Sequence, residues 1–270
     1  MFTFPEVAAG DPIRVSATAY RIWLQCPEQA RNYLDVTVAH ERRYQPETID
    51  TFRGSLAHRI FARHLVDGPI ADDAFERVCR QESGTGPMPM KMGSLGLKPS
   101  QFKALTFELA DEYQRFQRLA VEGFQAAEVG LVVEAAEGVT LVGRVDAVFD
   151  LAEGGVALVD WKTGELGDAQ PQLDFYAALW ALRHGEVPAR VEAASVRTGE
   201  RFEDHPSVAG VEATLDMVAD LVTSVRRALA SGTELERHGG PNCRFCPILT
   251  GCPEGATAVN LALPVRGRDR

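Results

Sequence analysis

Residues 130–164 read GLVVEAAEGVTLVGRVDAVFDLAEGGVALVDWKTG, and this stretch decides the fold. It is dense in Val and Leu and is broken at Glu-Gly and Gly-Gly pairs, the punctuation of tight turns. Three consecutive strands are predicted here. Side chains alternate faces along a strand, so Val142, Arg144, Asp146 and Val148 share one face. Asp160 and Lys162 are two residues apart and also share one. A regular turn centred near Glu153 sets Asp146 opposite Asp160, with Cβ atoms about 5 Å apart. Carboxylates that close repel each other unless a cation lies between them. An oxygen-rich site of this kind suits Mg²⁺ or Mn²⁺. The run Val156 to Val159 is continuously apolar, as expected of a buried central strand. Spacing alone leaves a second reading open, in which Asp160 and Lys162 are surface charges at a strand end.

Toward the C-terminus the pattern predicts a helix over 170–184, a strand or hairpin over 190–204 and a long helix over 208–230. Toward the N-terminus, 101–121 and 47–66 carry helical spacing, the latter with Phe52, Leu56, Ile60, Phe61 and Leu65 on one stripe. Ser100 is a candidate cap for the former. The segment 84–100, rich in Gly, Pro and Met, is read as a flexible loop. Residues 16–38 suggest one or two short helices, with Ser16 as an N-cap and Pro27 at the start of the second. Helices flanking a compact meander indicate an α/β (α+β) domain.

Of 270 residues, 45% are hydrophobic and 24% charged, enough for a substantial core. The N-terminus has no basic start and apolar core of a secretory signal. No run of about 18 apolar residues occurs, so no membrane span and a cytoplasmic location are expected. A formal charge of −10 argues against a general nucleic-acid coat but leaves room for a local basic surface. Candidate patches are Arg42 with Arg43, then Arg53, Arg59 and Arg63, then Lys91, Lys98 and Lys103. There is no GxxxxGK[ST] sequence, so any helicase motor would be a separate partner.

Cys243, Cys246 and Cys252 crowd into ten residues, and a site of thiolates needs a fourth ligand, for which Cys26 is the natural candidate. A [4Fe–4S] cluster takes four cysteines with uneven spacing, and zinc also accepts four thiolates. Cys79, beside Phe75 and Val78, reads as an ordinary buried thiol.

Four motifs stand in order along the chain: Gly54-Ser-Leu-Ala-His58, Gly143-Arg-Val-Asp146, Asp160-Trp-Lys162 and Gln172-Leu-Asp-Phe-Tyr176. Their order and spacing over residues 13–255 resemble the RecB-type branch of the PD-(D/E)XK nucleases. The cysteine arrangement resembles the AddB subunit of helicase–nucleases and a CRISPR-associated exonuclease group. The resemblance implies a restriction-endonuclease-like fold, a mixed central sheet flanked by helices. It implies a helical N-terminal region over 1–125, a nuclease core over 126–235 and a cysteine-rich segment over 236–270, integrated as one domain. It further implies that His58, Asp146, Asp160 and the Trp161 carbonyl hold the metal and that Lys162 is the catalytic lysine. Gln172 and Tyr176, one helical turn apart, would position DNA or that lysine. Glu134 is an extra carboxylate for which a solvent-facing role serves equally well. A structural [4Fe–4S] cluster on Cys26, Cys243, Cys246 and Cys252 would join the two ends of the chain. The implied activity is exonucleolytic cleavage of single-stranded DNA or DNA ends in repair or recombination. A non-catalytic iron–sulfur DNA-binding scaffold and a CRISPR-adaptation nuclease are the alternatives.

Overall fold

The computed structural model describes residues 2–36, 47–119 and 122–262. Among them, seven strands form one mixed sheet: β1 (Ile13–Ser16), β2 (Asp35–Val36), β3 (Phe124–Ala136), β4 (Val139–Asp150), β5 (Val156–Lys162), β6 (Arg190–Ser195) and β7 (Arg201–Asp204). The order is β2-β1-β4-β5-β6-β7, and β3 pairs with β4. β1 with β4 and β5 with β6 are parallel, and the remaining pairs are antiparallel.

The predicted β4–β5 register is observed, running from Asp150↔Val156 to Ala147↔Val159. The ladder stops there, one residue short of Asp146 and Asp160. β4 is served unequally along its length. β3 lines one edge almost throughout, with Phe124 across from Phe149 and Ala136 from Val139. On the other edge β1 covers residues 139–142 and β5 covers 147–150. Between them, among the described residues, Gly143 to Asp146 have no strand partner on that edge. This fork in the sheet is where the site lies.

One face of the sheet is covered by α1 (Ala17–Gln25), α7 (Gln170–His184) and α8 (Val208–Ser231), packed over Val145, Val148 and Leu158. The other carries α3 (Ile49–Asp67), α4 (Asp72–Ser83), α5 (Met88–Leu95) and α6 (Pro99–Phe116), packed over Ala147, Phe149, Val159 and Trp161. A short α2 (Pro27–Ala30) follows α1, and α9 (Pro253–Ala262) closes the described chain. The N-terminal third is thus not purely helical, since β1 and β2 join the sheet.

Helix starts follow local chemistry. Ser16 Oγ accepts the Ala19 N–H at 3.2 Å, and Ser207 Oγ accepts the Gly210 N–H at 3.0 Å. Thr48 and Thr51 cap each other at the head of α3. Residues 84–100 are not the irregular loop that their composition suggests. Pro87 and Pro89 fall at the head of α5, where a missing N–H costs nothing. Met88 is buried against the α3–α6 layer, and Gly96 ends the helix in the left-handed conformation at φ 58°. Tertiary burial overrides poor helix propensity there. At the start of α6 the residue capping the turn is not Ser100, because the Gln101 side chain accepts the Lys98 N–H at 2.9 Å.

Candidate active site

The fork in the sheet opens into a cleft of about 540 Å³, with Gly54, Ser55 and His58 of α3 on one wall and Gln172 and Tyr176 of α7 on the other. Asp146, Asp160 and Lys162 line its floor. Where β5 leaves β4, the Trp161 N–H donates to Asp146 Oδ2 at 2.7 Å instead of to a carbonyl of β4. The N–H and C=O of one strand residue point to the same side, so the Trp161 carbonyl also faces the fork. The next carbonyl, of Lys162, points the other way and accepts the Val196 N–H at 2.8 Å.

α3 carries His58 across to the floor, where its Nδ1 lies 2.9 Å from Asp146 Oδ1. Burial alone would depress the imidazole, but the charges of Asp146, Asp160 and Glu128 outweigh it and raise the pKa. Asp160 is pushed up to about 6, first by burial and then by the Asp146 carboxylate, with Lys162 opposing. This is the electrostatic condition of a site short of positive charge.

Lys162 Nζ lies 2.6 Å from Asp160 Oδ2 and donates to Gln172 Oε1 at 2.6 Å. Gln172 Nε2 donates to Asp160 Oδ1 at 2.7 Å and to the Tyr176 hydroxyl at 2.9 Å. One amide thus fixes the lysine and the aspartate together, and α7 supplies it. Close packing makes this possible: a Cβ at Gly143 would stand 2.7 Å from Leu179 Cδ1 and 3.1 Å from Tyr176 Cε1.

All the residues singled out around the cleft therefore come together in it, Glu134 excepted. Glu134 is exposed and accepts the Thr140 hydroxyl at 3.0 Å. The carboxylate that sequence reasoning missed is Glu128, on β3 across from Asp146. Ligand atoms of His58, Glu128 and Asp146 lie within 4.8 Å of one another. Glu128 Oε2 is held by Arg144 Nε at 3.0 Å, while Oε1 is buried with no hydrogen-bond partner. Burial, ahead of the nearby charges, raises its pKa. Its backbone is left-handed at φ 53°. The signal available in the sequence was its register relative to Asp146, which an irregular strand half concealed. The donor set of one imidazole, hard carboxylate oxygens and a carbonyl fits a divalent cation of the Mg²⁺ or Mn²⁺ type.

The basic patches are largely neutralised. Arg53 pairs with Asp50, Glu108 and Glu112, while Arg59 and Arg63 pair with Glu82. Lys91 lies 3.3 Å from Glu47 and donates to Ser55 at the cleft mouth at 2.9 Å. Arg42 and Arg43 lie outside the described residues.

At the far end, all the cysteines are free thiols. The Glu28 N–H donates to the Glu236 carbonyl at 3.1 Å and brings α2 against the C-terminal segment. Backbone N–H groups point at three sulfurs: His238 at Cys26 Sγ (3.5 Å), Gly240 at Cys243 Sγ (3.2 Å) and Gly255 at Cys252 Sγ (3.3 Å). Cys246 is raised by burial and then by the charges of Cys243, Cys26 and Cys252, so the four sit within electrostatic reach. Four soft sulfurs fit zinc or iron. Cys79 lies apart in the α3–α6 layer, where burial pushes its thiol up to about 12.

A family model described as the PD-(D/E)XK nuclease superfamily matches residues 14–253. No curated protein sequence matches the chain. Among solved structures, a "Putative exonuclease" from Eubacterium rectale is 14% identical, with 93% of this chain and 94% of that one covered at a TM-score of 0.47. The protein SSO0001 is also 14% identical, with 75% of this chain and 98% of that one covered at a TM-score of 0.35. Among the described residues no helix is long and apolar enough to cross a membrane.

Proposed function

The chain belongs to the PD-(D/E)XK nuclease superfamily, and from that premise we propose that it is a metal-dependent DNA exonuclease of the RecB/AddB-type branch. As a nuclease it hydrolyses phosphodiesters. The observation that carries the site assignment is the single network Lys162–Gln172–Asp160 beside His58 and Asp146 at the fork. His58, Asp146, Asp160 and the Trp161 carbonyl are assigned as metal ligands. A divalent cation held there would supply Lewis-acid charge to a phosphate and favour deprotonation of water. Lys162, paired with Asp160 and fixed by Gln172, stabilises negative charge developing on the phosphate oxygens. Gln172 and Tyr176 are positioning residues that hold the ammonium in place.

Single-stranded DNA or DNA ends are the proposed substrates, in repair or recombination. Arg53, Arg59 and Arg63 are paired to acids, so this patch beside the cleft is a weak hold for a long duplex, which favours a narrow track into the cleft. The four cysteines Cys26, Cys243, Cys246 and Cys252 are assigned to a structural [4Fe–4S] cluster. The uneven spacing of the four cysteines along the chain supports iron–sulfur over zinc, which commonly uses two short paired motifs. Residues 1–125, 126–235 and 236–270 then act as one integrated unit stapled by the cluster. A separate helicase is a candidate partner.

The test is cleavage of end-labelled single-stranded DNA by anaerobically purified protein with Mg²⁺ or Mn²⁺, alongside Lys162→Ala, with iron and sulfide assayed in the same preparation. Metal-dependent degradation that the variant loses, with four iron atoms per chain expected for one such cluster, establishes the reading. Bound but uncut DNA would point to a scaffold.

A further inference from the structure

We propose that Glu128 is a further ligand of the cleft cation, completing with His58 and Asp146 a seat built from α3, β3 and β4. The inference rests on the nuclease reading above. Ligand atoms of the three residues converge within 4.8 Å, the distance scale of groups sharing one ion. Glu128 presents one oxygen to that seat and no other to spare. Oε2 is taken by Arg144 at 3.0 Å, whereas Oε1 is buried without a hydrogen-bond donor. A buried carboxylate oxygen left bare is costly, and a cation between Glu128, His58 and Asp146 removes that cost. Asp160 is the other ligand carboxylate with an oxygen to offer: Gln172 takes its Oδ1 at 2.7 Å, while its Oδ2 lies 2.6 Å from Lys162 Nζ and is likewise buried without a hydrogen bond. Glu128 Oε1 is the open oxygen on the opposite side of Asp146, and Arg144 fixes its orientation.

The backbone of Glu128 supplies a clean test. At φ 53° a glutamate is strained where a glycine is not. Mn²⁺ binding to the full chain would be followed by titration calorimetry and by the Mn²⁺ paramagnetic resonance signal. Wild type, Glu128→Gln, Glu128→Gly and, as a control on the same strand, Glu134→Gln would be compared, each with a melting curve. Both Glu128 variants should bind Mn²⁺ at least about tenfold more weakly, and Glu134→Gln should bind like wild type. Glu128→Gly should melt no lower than wild type in the absence of metal, which separates lost ligation from lost folding. Wild-type affinity in a folded Glu128→Gly variant would overturn the inference and leave the nuclease reading standing. A wild-type chain that binds no Mn²⁺ at all would overturn both.

Discussion

Two histidines on one helix face opposite fates. His58 and His64 lie six residues apart on α3, and both are partly sheltered. His58 meets Asp146 at 2.9 Å amid further carboxylates, and its pKa rises. His64 meets no acid. Its Nδ1 accepts the Tyr113 hydroxyl at 2.8 Å, that hydroxyl in turn accepts the Ile70 N–H at 2.7 Å, and burial lowers the pKa. The helix delivers both rings equally well, so it is the strands opposite that decide which one does chemistry. His58 is aimed at the fork in the sheet. His64 packs edge-on to Phe116 within the helical layer, away from the fork.

Several variants would break or sharpen this contrast. Lys162→Ala should lower single-turnover cleavage roughly a hundred- to a thousand-fold, the scale of losing one stabilising donor, while calorimetric Mn²⁺ binding persists. Equal cleavage by the variant would move the chemistry away from Lys162. Next in size is the histidine pair itself. His58→Gln should weaken Mn²⁺ binding and cleavage by about tenfold or more with little change in melting, and His64→Gln should do the reverse. If both lose cleavage alike, the contrast is false. Gly143→Ala forces a methyl group against Leu179 and Tyr176 and should cost about 1–3 kcal/mol in urea unfolding. It should slow cleavage as well, by displacing Gln172, and an unchanged rate would show that α7 is not what holds the lysine. The smallest effect concerns pH. His64 is neutral in the fold and has its pKa depressed there, so its contribution is complete above the unfolded value near 6.5. It is lost as pH falls through that value toward the lower folded one. Unfolding curves between pH 7 and 5, values chosen to bracket that range, should therefore slope less in His64→Gln than in wild type.

Much of this was legible from residue types alone. The β4–β5 register and the limits of α7 and α8 follow from apolar runs, Gly-Gly punctuation and caps. Asp146, Asp160, Lys162, Gln172 and Tyr176 gather because those elements do. The missed features share a physical cause, in that long-range packing settles them. β1 is only four residues long, and its partner lies on β4, more than a hundred positions away. α4 is strongly charged, and its few buried residues make a thin stripe. α5 stands because Met88 has a core to enter, a fact no propensity records. Glu128 sits in the half of β3 that opens with a register shift between Phe124 and Ala126, and its left-handed backbone obeys no alternation. Glu134, which does alternate regularly, was the more visible and the less relevant carboxylate.

The two partners that share one edge of β4 reach it by very different routes. β5 folds back through a turn of five residues, between Asp150 and Val156. β1 must close a loop of more than a hundred residues before Ile13 can meet Val139. Local hairpins form within microseconds, whereas distant pairings wait on chain search. The two aspartates and the lysine are thus brought side by side early, on a hairpin still open to solvent. The two walls of the cleft, α3 and α7, still have to pack against that hairpin. A chain caught short of this step carries both aspartates and the lysine but no place to put a substrate.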